Sequence, residues 1–216
     1  MMGTIFNRVK EDIEVAFVKD PAARTTLEVI SLYPGVQAIW FFRVAHFFWT
    51  KGFLFFGRFI SHVARFLTGI EIHPGATIGR RFFIDHGASI VVGETTIIGD
   101  DVLMYKGAVL GGTSSEKKKR HPTIEDNVVI GTNSIVLGDI TIGHHSKLGA
   151  GSVSLKSVPP YSTVVGVPGR IVKMRQPNGD ILDHGNLPDP ILDIMEKISK
   201  RQDELEEKIK DILQSK

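Results

Sequence analysis

From residue 70 onward, aliphatic side chains return every six residues, a period that neither a helix nor a strand possesses. Ile72, Ile78, Ile84 and Ile90 follow one another without a gap. Thr96 breaks the row, Val102 and Ala108 continue it, and after an interruption it resumes at Ile124, Ile130, Val136, Ile142 and Leu148. Helices repeat at about 3.6 residues and strands at two, so six residues make one short strand and a corner. Gly follows the aliphatic residue at 79, 131, 143 and 149, where the corner must turn. A short fixed repeat marks a solenoid, whose units bury their faces only by stacking on one another. Three such sides close one triangular coil. The expectation for residues 70–173 is therefore a parallel β-helix of hexapeptide repeats.

The flanks have a different character, which makes the whole chain α+β. In residues 1–69, Ile5, Val9, Ile13 and Phe17, then Ile39, Phe42, Ala45 and Trp49, recur at helical spacing. Pro21 and the Pro34–Gly35 pair break the pattern, so three to four helices are expected. The most apolar stretch, "VQAIWFFRVAHFFWTKGFLFFGRFI", contains Arg43, His46, Lys51 and Arg58. A bilayer span needs about 20 mostly apolar residues, so this stretch reads as packed helices, with no membrane partner. In residues 174–216, "NGDILDHGNLPDP" reads as a linker. Ile191, Met195, Ile198, Gln202, Leu205, Ile209 and Ile212 then alternate steps of four and three. That is a heptad seam, and Ile at both seam positions favours three or more strands over two. The alternative is a helix lying back on its own subunit.

Between Ala108 and Ile124 about ten extra residues, including "GGTSSEKKKRHP", must leave the solenoid as a loop. Its "SEKKKRH" run is either a solvated face or an attractor of anions. The net charge of +2 points to neither nucleic acid nor an anionic membrane. The absence of cysteine excludes disulfides, thiolate metal sites and a covalent acyl-cysteine. The start, "MMGTIFNRVKEDIEV", lacks a signal-type apolar core, so a cytoplasmic location is expected. The repeat carries His73, His86, His121, His144 and His145. These are corner residues, general bases or, as in β-helical carbonic anhydrases, metal ligands. With no cysteine and with His144 adjacent to His145, no metal site is expected. Acyl transfer from a thioester needs only a base and a carboxylate that orients it. Glu71 and the Asp85–His86 pair fall on adjacent faces of the coil, where such a pairing is plausible.

Three blocks, "IEIHPGATIGRRFFIDHGASIVVGE", "GAVLGGTSSEKKKRHPTI" and "LGAGSVSLKSVPPYSTVVGVPGRIV", resemble serine O-acetyltransferases of the hexapeptide-repeat class. Upstream, "VKDPAART" and "PGVQAIWFFRVAHFFW" resemble that family's helical domain. The resemblance implies a left-handed coil and transfer of acetyl from acetyl-CoA to the hydroxyl of L-serine, giving O-acetylserine for cysteine biosynthesis, with no permanently bound cofactor. It makes His86 the base and Glu71, where the family usually has Asp, the carboxylate that orients it. Asp85 would hold the serine amino group, Asp20 would reach the same substrate from the helical domain, Arg120 would take its carboxylate, and His121 would line the same pocket and assist catalysis. Gly111, Gly112 and Thr113 would border the thioester and pantetheine, with a backbone N–H for the oxyanion. Thr132 and Ala150 would border the rest of acetyl-CoA, and Lys147, Lys156 and Arg170 its phosphates. A homotrimer is implied, and a hexamer is possible. The complex with O-acetylserine sulfhydrylase is not carried over, because "DILQSK" does not match the family's tail. Two other readings stand beside this one: the same fold acting on another acceptor such as a sugar, and a catalytically silent trimeric scaffold.

Overall fold

The computed structural model describes residues 2–174 and 190–214. The repeat winds into a prism with three sheet faces. The first face stacks β1 (Ile70–Ile72), β4 (Ile90–Val92), β7 (Val109–Gly111), β10 (Ile135–Leu137) and β13 (Val153–Ser154). The second stacks β2 (Thr77–Ile78), β5 (Ile97–Ile98), β8 (Thr123–Ile124) and β11 (Thr141–Ile142). The third stacks β3 (Phe83–Asp85), β6 (Leu103–Tyr105), β9 (Val129–Ile130), β12 (Lys147–Leu148), β14 (Ser162–Val165) and β15 (Arg170–Met174). Neighbouring strands run parallel, except β14 and β15, where the chain folds back on itself.

Each six-residue side sends two side chains inward, two residues apart. Val102 and Met104, Ala108 and Leu110, Val128 and Ile130 are all buried. The row through Val102 and Ala108 is thus one of two inward rows, and Thr96 belongs to it, buried at 1% exposure. The true frame shift lies earlier. Ile70 pairs with Ile90, a spacing of 20 residues, whereas Val91 pairs with Val109 and Ile135 with Val153, a spacing of 18. The two additional residues enlarge the corner directly after Asp85, where His86 and Ser89 both take the left-handed conformation (φ 50° and 55°). The loop is also smaller than its sequence suggests. Val109 pairs with Ile135 at a spacing of 26, so the insertion adds eight residues rather than ten.

Among the described residues, four helices precede the prism: α1 (Met2–Lys19), α2 (Thr26–Leu32), α3 (Pro34–Thr50) and α4 (Leu54–Thr68). Val15 and Ala16 of α1, Val29 of α2 and Val36 of α3 cover Phe83, Leu103 and Val129 on the outside of the third face. Ile39, Phe42 and Ala45 are buried as their spacing predicts, while in α1 Phe17 is exposed and Ile13 only partly buried against the core, so these two are not its fully buried face. That face is Asp12, Val15 and Ala16, because Arg43 reaches across from α3 and donates to Asp12 at 3.0 and 2.6 Å. A two-pronged, charge-assisted pair satisfies a carboxylate that would otherwise be costly to bury. Gly35 sets the fit of α3 on the prism: a Cβ there would lie 2.2 Å from the Ile84 carbonyl oxygen. Helix α4 ends on Gly69 in the left-handed conformation, a common helix stop, and the chain passes straight into β1.

The helices and the prism form one compact unit, Met1–Leu182, and a second unit spans Asp183–Lys216. The latter contains α5 (Pro190–Gln214), which carries the heptads. The expected linker lies outside the described residues apart from Pro190, as do the side chains of Ile191 and Ile212. Among the described residues, no helix is long and apolar enough to cross a membrane.

Candidate active site

Polar chemistry gathers at two different edges of the prism. The first edge joins the third face to the first. Backbone bonds stack its corners: Gly107 N–H donates to Ala88 O, Asn133 to Lys106 and Gly151 to Thr132, at 2.8–2.9 Å. His86 occupies the lowest corner, with Thr132 and Ala150 two and three coils above it on the same edge. The His86 side chain is 79% exposed, and its Nε2 lies 3.9 Å from Asp85 Oδ1. Asp85 faces Asp20, Tyr33 and Tyr105. Burial pushes the Asp85 carboxyl above its ordinary value, and the Asp20 charge adds to this against the pull of His86. Asp20 accepts from Tyr33 Oη at 2.6 Å and from the Ala22 N–H at 2.8 Å. Burial and the bond to Asp20 raise the Tyr33 phenol, which therefore remains a proton donor. Two carboxylates packed beside an exposed imidazole suit an ammonium group with a hydroxyl nearby.

Glu71 lies in β1, next to this corner: Ser89 N–H donates to Gly69 O at 2.9 Å. Its carboxylate pairs with Arg65 Nη1 at 3.2 Å rather than with His86. The structure thus places Glu71 near His86 but commits it elsewhere.

The second edge joins the first face to the second, and there the inserted loop is pinned down. Thr95 Oγ1 accepts the backbone N–H groups of Arg120 and His121 at 3.0 and 3.1 Å. His121 Nδ1 accepts from the Thr95 N–H at 3.2 Å and lies 2.9 Å from Thr95 Oγ1. With Nδ1 an acceptor, the proton sits on Nε2, which becomes a hydrogen-bond donor. Burial, then the neighbouring Arg120, lower the His121 pKa and keep the ring neutral. Arg120 Nη2 reaches Glu94 Oε2 at 2.5 Å, which holds Glu94 below the usual carboxylate range. Gly111, Gly112, Thr113 and Lys156 belong to this edge, as Gly138 N–H to Gly111 O shows for the coil above.

The site residues expected from sequence therefore split into two groups. Asp20, Asp85, His86, Thr132 and Ala150 share one edge. Arg120, His121, Gly111, Gly112, Thr113 and Lys156 share the next, across the first face. Lys147 belongs to neither: it is buried in β12, paired with Val129 and Thr163 on the third face. Arg170 is exposed at the start of β15. Among the described residues, no group of three or more His, Asp or Glu side chains is arranged to hold a metal ion.

Known proteins offer a direct comparison. The family model for the bacterial transferase hexapeptide (six repeats) matches residues 121–153. The serine acetyltransferase of Bacillus pumilus is 53% identical over 202 residues, 93% of each chain. The chain belongs to the serine acetyltransferase family. Its fold agrees. Neisseria gonorrhoeae serine acetyltransferase in complex with serine superposes with a TM-score of 0.76 at 36% identity, covering 79% of this chain and 70% of that one. The Brucella abortus enzyme in complex with coenzyme A gives 0.76 at 36%, covering 79% and 68%. The prism is accordingly the left-handed β-helix that the repeat and the resemblance implied.

Sequence reasoning missed Tyr33, Glu94 and Thr95, and left His73 undistinguished among the repeat histidines. Only the "GETT" run after a strand hinted at two of them. His73 Nδ1 accepts the Gly75 N–H at 3.0 Å, and its ring packs edge-on against Trp49 at 4.9 Å. Burial, then Arg58, push its pKa down from 6.5 to about 4. In that window the unfolded chain takes up a proton that the folded chain refuses, so stability falls as pH falls from 6.5 towards 4. The melting temperature of His73→Asn should decline less steeply than that of the native chain over this range. Parallel slopes in a pH series of thermal melts would refute the assignment.

Proposed function

We propose that this chain transfers the acetyl group of acetyl-CoA to the hydroxyl of L-serine with His86 as general base. The serine hydroxyl oxygen attacks the thioester carbonyl while His86 accepts its proton. The tetrahedral intermediate then collapses, the carbon–sulfur bond breaks, and the imidazolium returns the proton to the departing CoA thiolate. The chain has no cysteine, so no acyl-cysteine forms, and the reading is direct transfer within a ternary complex. Glu71 orients the His86 ring once it leaves Arg65, and a backbone N–H of the Gly111–Gly112–Thr113 run stabilises the oxyanion.

The observation that carries this reading is the pair of opposite charge environments. The Asp20–Asp85 pocket suits an ammonium group, and Arg120 with the His121 Nε2–H suits a carboxylate. A sugar has neither charge. One amino acid is far too short to bridge a whole face of the prism, so the two edges must come from different subunits. A closed ring of copies places the His86 edge of one against the Arg120 edge of the next. The outer column of the first face supports a homotrimer: Val91, Val109, Ile135 and Val153 stack in register there, apolar and only partly exposed. Acetyl-CoA would then run along the Thr132–Ala150 edge towards Lys156 and Arg170 near the top of the coil.

Release of free thiol from acetyl-CoA decides between acceptors. L-serine should support turnover, and neutral hexoses should give only the background rate. A hexose with the higher kcat/KM would replace this reading with the sugar alternative, and no release with either would favour the silent scaffold.

A further inference from the structure

We infer that α5 is a self-association helix, three copies of which pack as a parallel, in-register coiled coil. This shares the three-fold assembly of the proposed function but not its chemistry. The helix runs for 25 residues, and its described apolar side chains are left open to solvent within the chain: Met195 64%, Ile198 61%, Leu205 52% and Ile209 55% exposed. With Gln202 they form one stripe at steps of three and four, so Met195, Gln202 and Ile209 take a positions and Ile198 and Leu205 take d positions.

What covers the stripe follows from the charges beside it. In a parallel, in-register coil, a g residue faces the e residue five positions later on its neighbour. Here that pair is Arg201 and Glu206, of opposite sign. In an antiparallel coil g faces g, which sets Arg201 against Arg201 or Lys208, cation against cation. Charge complementarity therefore selects further copies of α5, aligned in the same direction. The number of copies follows from side-chain shape. Ile at d (Ile198) as well as at a (Ile209) disfavours a two-stranded coil. Ile194 at a g position, 45% exposed, widens the apolar stripe in the same sense. Gln202 then fixes the register. In register, the three Gln202 amides share one layer, whereas a slip of one heptad would bury each against Met195 or Ile209 without a partner. Within its own helix Gln202 Nε2 already donates to Glu206 Oε1 at 3.2 Å, which leans Glu206 towards the seam.

The cysteine-free full-length chain allows a clean test. Lys200→Cys and Glu207→Cys lie one heptad apart on the face away from the seam, and each carries one nitroxide label per copy. Dipolar spectroscopy should give the same short interlabel distance for both variants, with the modulation depth of three spins. Leu205→Asp in either background should abolish that distance. Unequal distances would mean an antiparallel pairing, two-spin depth a dimer, and no short distance a helix held apart from its copies. Each of those results overturns the inference. Thiol release by the same labelled proteins reports on the chemistry separately, so loss of turnover with intact distances would fail the proposed function alone.

Discussion

His86→Ala should lower kcat for serine acetylation by roughly 10²-fold or more, the usual contribution of a positioned general base. The reason lies in what His86 does not do structurally. Its side chain is 79% exposed, and its nearest ionic neighbour, Asp85, stands 3.9 Å away. Removing it opens no cavity and orphans no buried donor, so the melting temperature should stay close to that of the native chain. The corner itself needs a left-handed residue, at φ 50°. His86→Asn is therefore the sharper companion, since Asn tolerates that conformation while lacking a base of suitable pKa. Both variants should retain binding of acetyl-CoA, measurable by calorimetry. Turnover within a few-fold of the native value in either variant would remove His86 from the chemistry.

The architecture was legible because the repeat is a mechanical consequence of the sequence. Each inward position of a prism side returns every six residues, so Ile72 through Leu148 announce the coil by themselves. The loop was legible for the converse reason, as the place where the count fails. What the period could not locate was the enlarged corner at 86–89. Ile90 and Val92 both point inward, so either continues a plausible row, and a shift of two leaves no visible gap. Buried charge was also hidden. Asp12 looks like a solvent-facing residue of an amphipathic helix until Arg43, 31 positions later, is seen to reach it. The same applies to the site. The motifs carrying Asp85–His86 and Arg120–His121 stand out in the sequence, but assigning them to separate edges requires the strand register. Glu94 and Thr95 act only through the loop folded over them, so the "GETT" run marks a polar corner without showing what it holds.

The second large effect is expected at a residue with no side chain. A Cβ on Gly93 would lie 1.9 Å from Cδ2 and 2.2 Å from Nε2 of His121, far inside contact distance. The ring cannot simply swing away. Thr95 holds its Nδ1 through both its N–H and its Oγ1, so a swing would break those contacts. Gly93→Ala must therefore push His121 out of its seat. Because Arg120 and His121 hang by their backbone N–H groups from the same Thr95 oxygen, the guanidinium moves with it. The coil itself should tolerate the change, since the Gly93 N–H bond to Leu110 O, 3.0 Å, asks nothing of the side chain. The expected result is a loss of roughly 10²-fold in kcat/KM for serine, about 2.7 kcal/mol of transition-state stabilisation, with a much smaller change in the KM for acetyl-CoA. Thr95→Val should move in the same direction by removing the shared acceptor without crowding the ring. If Gly93→Ala keeps native kcat/KM, the Arg120–His121 pair does not touch the amino acid, and the carboxylate end of the substrate must be held by another group.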